Sequence, residues 1–390
     1  MAKVSMKARK EVLDKYVALY RKASKKEKGR ILDVVCGSTG LSRDRAARLL
    51  AARPKSRSPT KPKARSKRGR DRIYDLAVLK GLKEIWIYMD FVCGKRLHEG
   101  IYDILDALIR FNAVCIDAGT ADKLRQMSAS TMDRLLKKDK EALRLKGIST
   151  TKPGTLLKHN IPIRLGQDWD DAVPGYVEID LVAHCGETVA GEYVNTLNVT
   201  DICTGWTEPV AVLNKAQRHV FAGLMDIEQR QPFSFAGIDS DNGSEFINNE
   251  LYRFCKDKGI CFTRSRTYTK NDNCHVEQKN WSLVRRHIGY GRFEGETAVK
   301  LLNAYYALLR LHVNFFLPST KLIEKQRDGA HVYKRYEKPL TPYRRVLAQN
   351  CIPDDVKMKL SATFLTLNPA DLVRGMIKIK DTLDKITIQG

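Results

Sequence analysis

Three acidic residues, in a fixed order along the chain, constrain its fold more than any other feature. Asp241 and Glu277 are separated by thirty-five residues. Asp180 lies upstream in Tyr176–Ala183, where apolar residues alternate as they do in a half-buried strand. Carboxylates are ligands that Mg²⁺ favours in proteins. The three residues are therefore predicted to meet in one site and to bind metal.

The residues around these acids resemble those of a known family. Asp241 opens the run Asp-Asn-Gly-Ser-Glu-Phe, and Glu277 is followed by Gln-Lys-Asn. With the spacing of the acids, this pattern resembles the DDE transposase and retroviral-integrase superfamily. Over residues 155–345 the chain is similar to bacterial insertion-sequence transposases with an integrase-type core. The resemblance implies that Asp180, Asp241 and Glu277 are catalytic.

The same acids suit phosphodiester chemistry. Cleaving and rejoining a phosphodiester requires a nucleophilic water or 3′-hydroxyl, an in-line leaving oxygen and neutralisation of the charge that develops on the phosphate. Two Mg²⁺ ions about 3.5–4 Å apart can serve both oxygens. We therefore expect two Mg²⁺ ions, for which Mn²⁺ can substitute, and no covalent intermediate between protein and DNA.

Each acid also has a structural alternative. An aspartate at the end of a strand is often a turn former, and Asp-Asn-Gly is a strong turn sequence. Glu178, Asp239 and Glu245 lie within a few residues of the predicted ligands. Glu178 would share a strand face with Asp180, because strand side chains alternate. We interpret these three neighbours as turn-forming or supporting groups.

The charge of the chain indicates a polyanionic partner. Its 390 residues carry a formal net charge of +24, with a pI near 9.6, which favours nucleic acid. An anionic membrane surface is the alternative, but the sequence offers no apolar run long enough to span a bilayer and no signal-peptide core at its N-terminus. We therefore expect a cytoplasmic, nucleoid-associated protein that does not bind membranes.

The cysteines predict reduced thiols. There are nine, an odd number without framework spacing. Cys255, Cys261, Cys274 and His275 come closest to a zinc cluster, but they lack the paired spacing of zinc ligands. Buried thiols are the better interpretation.

Residues 1–52 are predicted to form a helix-turn-helix domain. Three short helices are indicated over residues 7–52, with a turn at Cys36–Gly40 and a basic third helix at Arg43–Ala52. This outline is typical of DNA binding, and the alternative is a three-helix bundle with arginines on a solvated face. The residues of the third helix that we expect to contact DNA are Arg43, Arg45 and Arg48.

Residues 53–72 are predicted to be a disordered basic linker. Half of them are Lys or Arg, and prolines interrupt the run. Such a segment can follow phosphates or lie in a minor groove; the alternative is a solvated tether. The linker residues that we expect to bind DNA are Lys63, Arg65, Lys67, Arg68 and Arg70.

Residues 73–145 are predicted to form a second helical DNA-binding domain. Large apolar residues recur at intervals of three and four. A second helix-turn-helix is indicated, with Ser130, Thr131 and Arg134 near the start of its recognition helix. The turn-rich residues 146–174 are predicted to be a connector.

Residues 175–316 are predicted to be an α/β catalytic core with the element order of a ribonuclease-H-like fold. Its strands are predicted at Tyr176–Ala183, Tyr193–Asp201, Trp206–Leu213, Phe233–Asp239 and Ile260–Thr263. Its helices are predicted at Lys215–Gln229, Phe246–Lys258, Val276–Ile288 and Ala298–Phe315. The core residues that we expect to contact DNA are Arg264, Arg266, Lys270 and Lys279. Residues 317–390 are predicted to be a basic C-terminal region.

The sequence thus predicts a multidomain protein with α-helical helix-turn-helix domains ahead of a ribonuclease-H-like core. The function that it indicates is that of a DNA transposase, which binds transposon terminal repeats, frees 3′-hydroxyl ends and joins them to target DNA. Since one core must act at each of two ends, we expect a homodimer or a higher oligomer on DNA. The alternatives are a metal-dependent nuclease of the same fold and a DNA-binding regulator with an inactive core.

Overall fold

The structure, a computed structural model, describes residues 6–51, 73–143, 173–240, 243, 245–246, 249–264, 274–328 and 331–388. The chain forms two units, Met1–Asp71 and Arg72–Gly390. The predicted basic linker and most of the predicted connector lie outside the described residues. The predicted domain bounds stay a prediction.

Three helices form the described part of the first unit, and they enclose a small apolar core. They are α1 Met6–Lys22, α2 Lys25–Thr39 and α3 Arg43–Ala51. The buried core residues are Leu32, Val35, Ala46 and Leu50. The assignment of this unit as a DNA-binding helix-turn-helix stays a prediction.

The predicted turn at Cys36–Gly40 is wrong over most of its length. Helix α2 continues to Thr39, whose hydroxyl donates to Val35 O at 2.5 Å. The helix ends at Gly40, whose φ of 68° is left-handed and favours glycine. Only the residues from Gly40 to Ser42 connect α2 to α3.

The second unit begins with five helices. They are α4 Leu76–Tyr88, α5 Gly94–Arg110, α6 Ala118–Gln126, α7 Ala129–Leu135 and α8 Lys137–Ala142. Helices α5 and α7 meet at Gly94, whose N–H donates to Asp133 Oδ1 at 2.8 Å. A Cβ at Gly94 would clash with Ala129 O. The contact therefore requires glycine.

A five-stranded sheet forms the centre of the second unit. Its strands are β1 Tyr176–Ala183, β2 Asn195–Asp201, β3 Thr207–Val212, β4 Gly237–Ser240 and β5 Cys261–Arg264. The spatial order is β3-β2-β1-β4-β5. The pairs β1–β2 and β2–β3 are antiparallel, whereas β1–β4 and β4–β5 are parallel.

Helices cover both faces of this sheet. They are α9 Gln217–Arg230, α10 Asn249–Lys258, α11 Cys274–Lys279, a π-helix at Asn280–Arg285, α12 Arg286–Ile288 and α13 Gly295–Phe316. Val177 and Ile179 of β1 share a core with Val220 of α9. Val182 belongs to a second core together with Leu283 of the π-helix. The predicted ribonuclease-H-like α/β core is confirmed.

The C-terminal part adds elements that pack on the core. They are the antiparallel hairpin of β6 Leu322–Asp328 and β7 His331–Tyr336, then α14 Pro342–Ala348, α15 Asp354–Thr366 and α16 Pro369–Ile386. Helix α16 buries Met376 and Leu383 in one apolar core with Leu302 of α13 and Leu82 of α4. The first helices of the unit and its last helix therefore pack on the same side of the sheet as α13.

None of the helices in the described ranges combines the length and the apolar composition that crossing a membrane would require.

Candidate active site

Asp180 lies in the middle of β1, on the sheet face that bears α11 and the π-helix. Its side chain is half-buried, and Asn280 Nδ2 donates to its Oδ2 at 2.6 Å. Asn198, the register partner of Asp180 in β2, donates from Nδ2 to Asn280 Oδ1 at 2.9 Å. Because Asn280 uses both ends of its amide, this row of three side chains fixes the orientation of the Asp180 carboxylate.

Glu178 makes a second connection between β1 and α11. It lies two residues before Asp180, is fully buried and accepts a hydrogen bond on Oε2 from Val276 N at 2.9 Å. A buried carboxylate that accepts from a backbone N–H in the first turn of a helix satisfies a donor that has no partner inside the helix. Glu178 thus attaches the start of α11 to the sheet.

The two connections place the backbone of Glu277 beside β1. Glu277 follows Val276, which bonds to Glu178, and precedes Asn280, which bonds to Asp180. The helix backbone between these points is therefore held against the strand. The side chain of Glu277 lies outside the described residues.

The end of β4 lies next to β1. Ser240, the last residue of β4, is the register partner of Ile179, which precedes Asp180. Asp241, the next residue in sequence, lies outside the described residues. Asp239 is buried and accepts from Thr263 Oγ1 of β5 at 2.7 Å, so this neighbouring acid has a structural role between strands.

Asp180 is the one predicted metal ligand whose side chain is described. Its carboxylate is partly open to solvent and suits Mg²⁺, which takes oxygen ligands and retains several waters. Within the described residues, no group of three or more His, Cys, Asp or Glu side chains is placed to hold a metal ion. The chemistry of the predicted donor set, three carboxylates, fits Mg²⁺.

Lys279 turns away from Asp180 towards the β2–β3 turn. Its Nζ donates to Gly205 O at 3.3 Å. Burial and the positive charges of Arg96 and Arg345 lower the pKa of Lys279 to about 7. The side chain thus lies among several cations that line one cavity.

The predicted DNA-contacting residues fall into three groups. Those exposed on their helices are Arg43, Arg45 and Arg48 of α3 and Ser130 and Arg134 of α7. Those that are half-buried or buried are Thr131, Lys279 and Arg264. The N–H of Thr131 donates to Ser128 Oγ at 3.4 Å, and Arg264 is 5% exposed at the end of β5. Those outside the described residues are Lys63, Arg65, Lys67, Arg68, Arg70, Arg266 and Lys270.

Two residues, Glu178 and Asn280, hold α11 and the π-helix against β1, and the sequence did not predict these contacts. Glu178 could be placed on the face of Asp180 from alternation alone, but its bond to α11 could not be predicted. Asn280 follows Glu277 by three residues, which brings it to the same side of a helix. That spacing could have indicated that Asn280 lies near Glu277. Its hydrogen bond to Asp180 becomes apparent only from the fold.

Comparison with known proteins identifies the core. Residues 170–270 match the family model described as "Integrase core domain". The chain is 40% identical over 343 residues to "Uncharacterized protein y4rM" of Sinorhizobium fredii (strain NBRC 101917 / NGR234), and the match spans 88% of this chain and 96% of that protein.

Solved structures of integrase cores show low overall similarity. The catalytic core domain of BIV integrase is 16% identical with a TM-score of 0.28, and the match covers 44% of this chain and 91% of that one. The HTLV-2 integrase catalytic core domain in complex with magnesium, in its dimeric form, is 12% identical with a TM-score of 0.29. That match covers 38% of this chain and 93% of that one. At these TM-scores the two structures add nothing to the assignment. On the identity that spans nearly all of y4rM, together with the integrase core domain, the chain belongs to the family of y4rM and is a DDE transposase/integrase-like protein.

Proposed function

We propose that this protein is a DNA transposase, which binds transposon terminal repeats, cleaves phosphodiester bonds to free 3′-hydroxyl ends and joins those ends to target DNA. The observation that carries the proposal is the double attachment of α11 to β1. Glu178 accepts from Val276 N, and Asn280 donates to Asp180. Two residues of the predicted triad, Asp180 and Glu277, therefore belong to elements that are joined side by side.

In this proposal Asp180, Asp241 and Glu277 hold two Mg²⁺ ions, for which Mn²⁺ can substitute. When bound, such a pair of ions stabilises both the attacking and the leaving oxygen of an in-line displacement. Asn280 keeps the Asp180 carboxylate in one orientation, and Asn198 keeps the Asn280 amide in place. Fixed ligands of this kind reduce the reorganisation that the reaction would otherwise need.

The proposed partners are transposon-end DNA and target DNA. The exposed arginines of α3 and the exposed residues Ser130 and Arg134 of α7 are suited to contact DNA, because guanidinium and hydroxyl groups bind phosphates and base edges. The formal charge of +24 supports a polyanionic partner. We propose a homodimer or a higher oligomer on DNA, with one core at each transposon end.

A strand-transfer assay tests this function. Purified full-length protein is incubated in Mg²⁺ with labelled duplexes from the two ends of the element that carries its gene, together with a plasmid target. The wild type should give joined product, whereas Asp180→Asn and Glu277→Gln should bind the duplex and give none. The matched control is Glu296→Gln, an exposed acid on α13, which should behave as the wild type.

Other outcomes assign other functions. Cleavage by the wild type without joining would indicate a nuclease, and tight binding without either reaction would indicate a regulator. Joined product from Glu277→Gln would show that the proposed triad is wrong.

A further inference from the structure

A cavity of about 140 Å³ lies beside the candidate active site. It is enclosed by α5, the β2–β3 turn, α11 with the π-helix, and the segment that follows α13. One buried water needs only roughly 10–15 Å³, so the cavity can hold a polar group of several atoms. Its basic lining residues are Arg96, Lys279, Arg286, Lys321 and Arg345, and its acidic ones are Asp90 and Asp201.

The acids in and around the cavity are already engaged. Asp90 Oδ1 accepts from Arg286 at 3.0 Å. Glu337 accepts from Arg345 Nε at 3.0 Å. The carboxylate of Asp201 accepts from Gly175 N at 2.8 Å and from the N–H and hydroxyl of Thr204, each at 2.6 Å.

Within the described part of the chain, three cations of the cavity make their hydrogen bonds to backbone carbonyls alone. Lys321 Nζ donates to Cys203 O at 2.7 Å, Lys279 Nζ to Gly205 O at 3.3 Å, and Arg96 Nε to Pro318 O. Among the described residues, no carboxylate lies within ion-pairing distance of any of the three. Asp90 attracts Arg96 and Asp201 attracts Lys321 only from beyond that distance. Partly buried cations without a direct ion pair are costly, because like charges repel and solvation is reduced. A bound anion would remove that cost.

From this geometry, and resting on the proposed function, we propose that the cavity is a phosphate-binding site that holds one backbone phosphate of the bound DNA strand. A phosphate oxyanion accepts strong charge-assisted hydrogen bonds from ammonium and guanidinium groups. Arg96, Lys279 and Lys321 each have donors beyond the carbonyl that they contact. Inorganic phosphate offers the same chemistry, so the test must separate the two sources.

The site would join three parts of the chain. Arg96 belongs to α5, Lys279 lies two residues after Glu277, and Lys321 follows α13. A phosphate bound there would hold the strand next to the helix that carries Glu277. It would also make α5 part of the DNA-binding surface of the core, which is a role separate from base recognition.

The test measures DNA binding by the full chain without divalent metal, at several salt concentrations. The variants are Arg96→Met and Lys321→Met, and the matched control is Lys300→Met, an exposed lysine on α13. Each cavity variant should reduce the slope of log affinity against log salt by about one. If the variant and the wild type bind equally at about 1 M salt, this change of slope amounts to a loss of affinity of about four-fold at about 0.2 M salt. The control should keep the wild-type slope.

A second measurement separates the sources of phosphate. Melting temperatures are compared in inorganic phosphate and in chloride at equal ionic strength. Phosphate should stabilise the wild type and Lys321→Arg, which keeps the charge, but not Lys321→Met. Because melting is recorded for every variant, a folding defect is recognised directly.

Two outcomes would overturn the proposal. Unchanged salt slopes together with no effect of phosphate would show that the cavity binds no anion. Stabilisation by phosphate with unchanged slopes would show a site for free phosphate, and DNA would be excluded as its source. Because neither measurement requires catalysis, a protein that shows the expected slopes but joins no DNA would contradict the proposed function and leave this inference standing.

Discussion

Asn280 and Asp180 are joined by a hydrogen bond of 2.6 Å, although their positions are 100 apart in sequence. The other end of the Asn280 amide accepts from Asn198 at 2.9 Å. Asn280 therefore acts on Asp180 as a positioning residue, and the orientation of Asn280 is itself set by Asn198 of β2. The arrangement links the proposed metal ligand on the sheet to the helix that carries Glu277.

Replacing Asn280 should affect metal use more than DNA binding. In Asn280→Ala the Asp180 carboxylate loses a donor that orients it. Loss of a group that orients a metal ligand typically costs 10–100-fold in activity or metal affinity. We expect strand transfer to fall by about that factor and the Mg²⁺ concentration for half-maximal rate to rise, with unchanged DNA affinity. Asn303→Ala, which removes bonds to the backbone of Ala211, should lower stability without moving the Mg²⁺ dependence.

Replacing Glu178 should loosen α11. In Glu178→Ala the Val276 N–H loses a buried acceptor, which costs about 1–3 kcal/mol. Glu178→Gln keeps an amide oxygen that can accept the same bond, so its loss should be smaller. Melting temperature and strand-transfer rate check both variants, and equal losses in the two would contradict a positioning role for this bond.

The buried histidine His184 should make the protein sensitive to acid. Burial, with a smaller effect of the Arg285 charge, lowers its pKa from 6.5 to about 3. Between these values the unfolded chain binds the proton more strongly, so stability is lost as the pH falls. For His184 alone the loss between pH 7 and pH 5 should be about 2 kcal/mol.

Melting curves over that pH range check this prediction. His184→Gln can keep the hydrogen bond to Thr196, which is 2.8 Å in the wild type, and it removes the titration. Its stability should therefore depend less on pH than that of the wild type. Equal pH dependence of the wild type and His184→Gln would contradict the prediction.

Glu208 should be among the most sensitive positions for stability. Its side chain is 1% exposed on β3 and pairs with Arg230 at 3.0 Å and with Arg310. Removing one partner of a buried ion pair typically costs about 3–5 kcal/mol. Loss of Glu208 would leave Arg310 without a carboxylate partner among the described residues, whereas Arg230 keeps Asp226. We expect a loss of about this size for Glu208→Ala. A much smaller loss by thermal or urea unfolding would show that water replaces the carboxylate.

The sequence predicted best those elements whose signal is local. The bounds of β1 were predicted at Tyr176–Ala183 as observed, because alternation of apolar residues is complete within that strand. Strand β2 begins at Asn195, two residues after its predicted start. The order of strands and helices followed from similar local signals, and it was sufficient to predict the fold of the core.

Elements and contacts that depend on distant residues were missed. The hairpin of β6 and β7 is rich in charged side chains and lacks the apolar alternation of a half-buried strand, so the sequence indicated only a basic region. The packing of α4 and α16 with α13 in one core is a tertiary property. The bond from Glu178 to Val276 spans 98 residues, and no pattern of sequence spacing encodes such a partner.

The π-helix at Asn280–Arg285 has a consequence for insertions and deletions. At its start Asn280 bonds to Asp180, and just after its end Arg286 donates to Asp90 O at 2.6 Å. An α-helix turns by about 100° per residue, and a π turn accommodates one residue more than an α turn. Deletion of one residue between these anchors can therefore be absorbed by conversion of a π turn to an α turn, which keeps Arg286 at Asp90, whereas an insertion would rotate Arg286 away from it. The stretch should thus accept the loss of one residue more readily than the gain of one, while its buried residues Leu283 and Val284 constrain the residue type.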